Sequence, residues 1–141
     1  MFKTEYTLDV RYYETDTMGI VHHSNYLRYF ECGRNQMMKE LGIPIEVLER
    51  AGVMLPVVKV EISYKAPAYM GDSLKIVTTV NREPLAKIVL EQQIFNQKDE
   101  LICYGTVTVG FIDSVTRRPV RVPQLFAEKI APFFTNGEKK L

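Results

Sequence analysis

The stretch from residue 24 to residue 41 restricts the fold of this chain more than any other part of the sequence. It contains no proline, and Leu27, Phe30 and Met37 recur at helical spacing. We therefore predict a helix here, with Ser24 as its N-cap and Gly42 as its stop. Apolar and aromatic side chains fall on several sides of this helix, so we expect it to be largely buried. At about 1.5 Å per residue it would span roughly 27 Å, which only long strands could cover.

Several segments around this helix show the two-residue alternation of β-strands. Residues 6–13 alternate before the helix. After it, we predict four strands, at residues 58–66, 74–80, 87–96 and 101–112. A short helical segment at residues 44–50 ends at Gly52, and Pro123 opens a C-terminal helix that runs to Phe133.

One strand, one long helix and four further strands predict an α+β fold. The expected architecture is an antiparallel five-stranded sheet wrapped around one long central helix, with a short C-terminal helix added. No internal repeat or linker divides the sequence, so we expect one domain over residues 1–141 with a core from about 4 to 135. Residues 136–141 are predicted to be frayed.

Composition excludes several classes of function. The formal charge of +1 gives no global field that would recruit nucleic acid or an anionic membrane. No apolar run approaches the ~20 residues of a membrane span, and the N-terminus lacks a signal-peptide pattern. Two cysteines without metal-ligand spacing indicate reduced thiols in packed elements. We therefore expect a cytoplasmic protein without nucleic-acid or membrane partners.

The segment from residue 14 to residue 26 concentrates the groups that chemistry needs. It holds Glu14, Asp16, Gly19 and the neighbouring His22 and His23, and it ends where the long helix begins. A carboxylate, an imidazole and the free N–H groups of a helix start can converge there on one reacting group. On the residues alone, an Asp16 that only bonds its own turn is as good an interpretation as a reactive one. A metal site is not expected, because neighbouring extended histidines point to opposite faces.

Residues 10–26, together with the run from 62 to 72, resemble the signature of hotdog-fold acyl-CoA thioesterases. The similarity is to the 4-hydroxybenzoyl-CoA thioesterase branch and covers roughly residues 4–125. It implies hydrolysis of an acyl-CoA thioester to a free acid and coenzyme A, with acyl carrier protein as an alternative thiol carrier. It implies no cofactor, because coenzyme A is part of the substrate.

The resemblance also assigns roles to residues. Asp16 matches the family's reacting aspartate, which acts as nucleophile or as general base for water. His23 matches the helix-start residue whose main-chain N–H polarises the thioester carbonyl, and its side chain lies near the thioester. His22 and Glu14 depart from the family pattern, Glu14 by standing where many members carry aspartate. The substrate-binding residues that we expect are Gly19, Val21, Asn25, Tyr26, Arg82 and Lys87.

The family resemblance implies an oligomer, because members join two sheets edge to edge and place their active sites at the interface. We expect at least a homodimer and favour a tetramer, with residues 54–56 near the boundary. Three alternatives stay open. Glu31 on the long helix is a competing catalytic carboxylate, and a hotdog enoyl-thioester hydratase or dehydratase is a different enzyme of the same fold. A non-catalytic acyl-thioester binding module is the third.

Overall fold

The structure is a computed structural model and describes residues 1–134 of the 141-residue chain. Its strands are β1 (Phe2–Asp9), β2 (Val53–Met54), β3 (Val57–Tyr64), β4 (Ser73–Val80), β5 (Lys87–Phe95), β6 (Leu101–Gly110) and β7 (Ile112–Asp113). Its helices are α1 (Ser24–Glu40), α2 (Ile45–Arg50) and α3 (Gln124–Ile130), and two 3-10 turns lie at Tyr12–Glu14 and Ala131–Phe133. The predicted fraying of residues 136–141 and the outer limit of the core at 135 lie outside the described residues.

The main sheet has five antiparallel strands in the order β1-β4-β5-β6-β3, as predicted. β2 and β7 form a separate two-stranded ribbon that the sequence patterns did not predict. β3 and β6 approach very closely at Gly105, where an added Cβ would lie 2.1 Å from the carbonyl oxygen of Glu61. Only glycine fits this approach, so Gly105 fixes where the edge strand β3 sits on its neighbour.

α1 lies against the concave face of this sheet and forms the centre of the hydrophobic core. Its side chains Tyr29, Phe30, Met37 and Met38 are at most 2% exposed. The helix ends at Gly42, whose φ of +79° is the left-handed conformation that glycine adopts readily. The predicted buried helix, its stop and the wrapped five-stranded sheet are therefore confirmed.

The first strand and the helix start differ from the predictions. β1 ends at Asp9, because the backbone N–H of Arg11 donates to the Glu14 carboxylate and bends the chain into a 3-10 turn. The tyrosines that continued the alternation, Tyr12 and Tyr13, are 79% and 76% exposed. Ser24 is not the N-cap: it is the first residue of α1, and its hydroxyl bonds the Nδ1 atom of His22 instead.

β3 is found where the alternation predicts it, but neither of its faces is buried. Tyr64 and Val60 share the face toward α1, and they are 50% and 39% exposed. Within residues 1–134, β3 is an edge strand whose one neighbour in the main sheet is β6. An apolar row at an open edge invites a further strand. Among residues 1–134, no helix is both long and apolar enough to cross a membrane.

Candidate active site

The candidate site is a small hairpin between β1 and α1. Thr15 pairs with Val21, and the N–H of Asp16 donates to the carbonyl of Ile20 at 2.8 Å. Gly19 closes the turn with a φ of +78°, and its N–H donates to the carbonyl of Asp16 at 3.1 Å. No atom of the described residues lies within 4 Å of the position of a Cβ on Gly19, so these residues leave the space beside the turn open.

Asp16 stands at the first position of this turn and is only partly buried. Its Oδ1 atom accepts the N–H of Met18 at 2.8 Å, the usual bond of an aspartate that starts a turn. Its Oδ2 atom makes no hydrogen bond to any residue in the described part of the chain. One oxygen therefore holds the carboxylate in place, and the other stays available to a substrate or a water molecule.

Glu14, two residues earlier, has the opposite environment. It is 6% exposed, and its carboxylate accepts the backbone N–H of Arg11 at 2.8 Å and the hydroxyl of Tyr29 at 3.0 Å. The Arg11 guanidinium adds an ion pair at 3.3 Å, and this bond raises the pKa of Arg11. Burial, and then the bond to Glu14, raises the pKa of Tyr29, so this hydroxyl stays a donor. Glu14 thus fastens the loop to α1.

The two histidines at the helix start differ in their partners. His22 is tied down: its N–H donates to the Glu14 carbonyl at 2.9 Å, and its Nδ1 atom lies 2.9 Å from the Ser24 hydroxyl. The side chain of His23 is exposed and touches His22, with ring centroids 4.3 Å apart. Of the two imidazoles, His23 is therefore the one free to approach a ligand.

The N–H groups at the start of α1 are mostly satisfied within the chain. The N–H of Ser24 donates to the His22 ring, that of Asn25 to the His22 carbonyl, and that of Tyr26 to the His23 carbonyl. The N–H of His23 has no acceptor among residues 1–134. Among the N–H groups of residues 23–26, that of His23 is therefore the one left without an acceptor in the described part of the chain, and its role at the thioester carbonyl stays a prediction.

Asn25, Tyr26 and Val21 are buried and have partners inside the protein. The Asn25 side chain donates to the Glu14 carbonyl at 2.8 Å, so it holds the loop against α1. The Tyr26 hydroxyl accepts the N–H of Ala68 at 3.3 Å, and burial raises its pKa. The Val21 N–H donates to the Ala68 carbonyl at 2.8 Å. These hydrogen bonds hold the loop and the helix start in place. Direct contact of the three residues with substrate stays a prediction.

Arg82 and Lys87 lie at the other end of the sheet from Asp16. Arg82 follows the end of β4 and Lys87 begins β5, whereas the hairpin adjoins the start of β4. The eight residues of β4 separate the two ends by roughly 25 Å. The fold of one chain therefore does not bring these basic residues to Asp16, and their contact with coenzyme A stays a prediction.

Sequence reasoning missed two supporting contacts. Tyr29 reaches Glu14 across fifteen residues, and Arg34 bonds Gln92 across fifty-eight. Glu31 and Arg34, one helical turn apart on α1, form no ion pair among the described residues. Within residues 1–134, no group of three or more acidic, histidine or cysteine side chains could hold a metal ion. The sequence spacing of Tyr29 and Glu14, and of Arg34 and Gln92, gives no sign of the two contacts between them.

A five-stranded antiparallel sheet around one helix, with an acid and a helix start meeting in one loop, defines a hotdog-fold protein of the thioesterase type. A family model for the thioesterase-like superfamily matches residues 10–130. The chain therefore belongs to the thioesterase-like superfamily, and the predicted family resemblance is confirmed.

The relatives carry thioesterase names. YneP of Bacillus subtilis, whose name assigns it to the acyl-CoA thioesterases, is 36% identical over 86% of this chain and 88% of that protein. The acyl-CoA thioester hydrolase YbgC of Escherichia coli is 29% identical over 82% of this chain and 86% of that protein. The structure of a DHNA-CoA thioesterase from Staphylococcus aureus matches with a TM-score of 0.86 and 28% identity, over 94% of this chain and 89% of the other. These findings support the predicted enzyme class, thioester hydrolases.

Proposed function

We propose that this protein hydrolyses acyl-CoA thioesters to a free carboxylic acid and coenzyme A, with Asp16 as the reacting carboxylate. The observation that carries the proposal is the half-anchored carboxylate of Asp16, whose Oδ2 atom is open to a ligand. The chain's membership of a thioesterase superfamily supports the reaction type. The 4-hydroxybenzoyl-CoA thioesterase branch, which the motif resembles, is the subfamily that we propose.

Two balanced routes lead from this geometry to products. As a nucleophile, Oδ2 of Asp16 attacks the thioester carbon and the coenzyme A thiolate leaves. Water then hydrolyses the resulting anhydride to the acid and the aspartate carboxylate, and the proton that this step releases goes to the thiolate. As a general base, Asp16 takes a proton from water as the water attacks the same carbon, and it passes that proton to the leaving thiolate. In both routes the N–H of His23 donates to the carbonyl oxygen as it gains negative charge. The His23 imidazole lies beside the reacting group.

The proposed assembly is a dimer through β3. An antiparallel pairing of β3 with the β3 of a second copy would satisfy the open backbone edge and set the exposed apolar rows of the two strands, which include Val60 and Tyr64, side by side. It would also bring the end of one sheet that carries Arg82 and Lys87 toward the Asp16 hairpin of the other copy. This is how the two basic residues would meet the phosphates of coenzyme A. A tetramer, a cytoplasmic location and an acyl-carrier-protein substrate stay predictions, and the reaction as proposed needs no cofactor.

Release of free thiol from a panel of short, aromatic and long-chain acyl-CoAs tests the reaction. We expect the purified protein to release thiol from at least one member of the panel. The protein would instead be a binding module if it bound acyl-CoA tightly but released thiol from no tested thioester, acyl-carrier-protein thioesters included. If the protein added water to an enoyl-CoA, measured as a loss of the absorbance of the enoyl thioester, it would be the hydratase.

Sedimentation of a β3 variant tests the assembly. Val60→Glu introduces a charge into the apolar row on the α1 side of β3, directly beside the same row of the partner strand, so we expect a dimer to become a monomer. Ser63→Glu, on the opposite face of the same strand, is the matched control and should leave the dimer intact. A parent protein that sediments as a monomer at micromolar concentration would contradict the proposed assembly.

A further inference from the structure

Met18 and Met70 are exposed methionines on the Asp16 hairpin and on the loop that is hydrogen-bonded to it. Their side chains are 74% and 56% exposed, whereas those of Met37 and Met38 are at most 2% exposed in the core. An oxidant in solution converts an accessible thioether to a sulfoxide and does not reach a buried one. Met18 and Met70 are therefore open to oxidation, and Met37 and Met38 are protected.

The other two of the six methionines differ from this pair in their contacts or their position. Met54 is half-buried, and its sulfur accepts the Nη1 N–H of Arg117 at 3.3 Å. Met1 is 55% exposed, but it lies at the other end of β1 from the hairpin, roughly 25 Å away along the eight residues of the strand. Oxidation of Met1 is therefore an internal reference for damage far from the site.

Met18 and Met70 both bond the turn that carries Asp16. The backbone N–H of Met18 donates to the Oδ1 atom of Asp16 at 2.8 Å, and Met18 directly precedes Gly19 in the chain. The backbone N–H of Met70 donates to the carbonyl of Gly19 at 3.4 Å. No atom of the described residues lies within 4 Å of a Cβ position on Gly19. The two exposed thioethers therefore adjoin Gly19 and the open space beside its turn.

The two cysteines are less suited to oxidation than these methionines. A thiol reacts as its thiolate, so a raised pKa makes it less reactive. Burial raises the pKa of Cys103 to about 12, and burial also raises the pKa of the half-buried Cys32. Both thiols are therefore protonated at neutral pH. In the described part of the chain, the oxidisable sulfur atoms beside the Asp16 turn are those of Met18 and Met70.

Oxidation would change the chemistry of this surface and leave the chain intact. Hydrogen peroxide transfers one oxygen atom to the thioether sulfur: the O–O bond breaks, an S–O bond forms, the sulfur loses two electrons and the peroxide becomes water. The sulfoxide is polar, and its oxygen is a hydrogen-bond acceptor with partial negative charge. Beside the Asp16 turn, such oxygens disfavour both an apolar acyl chain and the negative charge that develops on a thioester carbonyl oxygen.

We propose that Met18 and Met70 are reversible oxidation sites and that their conversion to sulfoxides lowers the activity of the neighbouring Asp16 site. The oxidant is a peroxide. The reversal needs a methionine sulfoxide reductase, which removes the oxygen as water with electrons from a dithiol. The effect on turnover rests on the proposed function, whereas the selective oxidation of the two residues does not depend on it.

Timed treatment of the protein with hydrogen peroxide tests this inference by mass and by activity. Peptide mass spectrometry should show sulfoxide at Met18, Met70 and Met1 before Met37 and Met38, and equal rates at all five would overturn the assignment of the sites. We expect kcat/KM for an acyl-CoA to fall about tenfold as Met18 and Met70 are oxidised. Treatment with both methionine sulfoxide reductases should restore it, one enzyme for each sulfoxide epimer. Recovery with dithiothreitol alone would assign the loss to a cysteine and overturn the inference.

A double variant, Met18→Leu with Met70→Leu, removes both sulfur atoms and keeps apolar side chains of similar volume. Its kcat/KM after treatment, divided by its own value before treatment, should stay near one although Met1 is oxidised. Met54→Leu is the matched control and should lose activity as the parent protein does. An equal loss in the double variant and the parent, or full activity of a parent oxidised at both sites, would overturn the effect on turnover.

Failure of the proposed function gives a different result. If the untreated protein released thiol from no acyl-CoA, the proposed function would be overturned, and the effect of oxidation on turnover with it. The mass measurement on the same protein would still confirm or overturn Met18 and Met70 as the oxidation sites.

Discussion

Two carboxylates in the hairpin before α1 stand two residues apart and have opposite environments. Glu14 is 6% exposed and takes hydrogen bonds from the Arg11 backbone, the Arg11 guanidinium and the Tyr29 hydroxyl. Asp16 is only partly buried, and its carboxylate takes one hydrogen bond among the described residues, from the Met18 N–H. A carboxylate whose oxygens are all engaged supports the loop, whereas one with a free oxygen can react. Their hydrogen-bond partners, and not their residue type, therefore distinguish the supporting carboxylate of Glu14 from the proposed reacting carboxylate of Asp16.

The largest expected effect is on turnover, from Asp16→Asn. The amide keeps the size of the side chain and its turn bond to Met18, but it is neither a nucleophile nor a base at neutral pH. We expect kcat for acyl-CoA hydrolysis to fall about a thousandfold, with no change in melting temperature. Thiol release and thermal unfolding on the same sample measure both quantities. A variant that keeps a third or more of the parent rate would remove Asp16 from the mechanism.

The next effect is on stability, from Glu14→Ala. The change leaves the Arg11 backbone N–H and the buried Tyr29 hydroxyl without their acceptor, so we expect the free energy of unfolding to fall by about 3 kcal/mol. Urea unfolding measures it. Glu14→Gln is the control: its amide oxygen still accepts, so it should lose less. Equal losses in both variants would show that the charge, and not the hydrogen bonds, holds the loop.

The histidines give a smaller difference in turnover. His23→Ala removes the free imidazole beside the proposed reaction site but keeps the main-chain N–H, so we expect kcat to fall about tenfold. His22→Ala removes a ring whose hydrogen bonds in the described part of the chain are to the hydroxyl and the backbone N–H of Ser24. We therefore expect kcat to change less than about twofold. Steady-state rates on one acyl-CoA compare them, and equal losses would end the distinction between the two rings.

The smallest effect comes from Tyr29→Phe. It removes a single 3.0 Å hydrogen bond to Glu14, so unfolding should become easier by about 1 kcal/mol while turnover of folded protein stays the same. Tyr12→Phe, at an exposed tyrosine, should change neither quantity. A loss of turnover in Tyr29→Phe without a loss of stability would mean that Glu14 takes part in the chemistry.

The sequence predicts most of the fold, because helical and two-residue periodicity report which face of an element is buried. It fails where a tertiary contact overrides the pattern. The alternation runs on to Tyr13, but the bond from Arg11 to Glu14 bends the chain after Asp9. The alternation in β3 predicts a strand with one buried face, but that face is exposed in the structure. A sequence pattern shows which side chains share a face and does not show which element packs on it.

The candidate site is predictable only in part, for a similar reason. Asp16, Gly19 and His23 are close in sequence, so a motif can identify them. The support of Glu14 by Tyr29 and of Arg34 by Gln92 joins elements that are distant in the chain. Residues that are so far apart in the chain form no local sequence motif. Their contacts are therefore seen only in the structure, where α1 packs on the sheet. His22 and Ser24 show a local failure, since the ring of His22 takes the capping role expected of Ser24.

The most direct test of the division between the two carboxylates compares Asp16→Asn with Glu14→Gln, with turnover per folded molecule and the free energy of unfolding measured for each. We expect opposite outcomes: Asp16→Asn folds as stably as the parent protein and loses hydrolysis, whereas Glu14→Gln is less stable and keeps hydrolysis when folded. If instead folded Glu14→Gln lost turnover and Asp16→Asn kept it, the assignment of chemistry to Asp16 and of support to Glu14 would be contradicted.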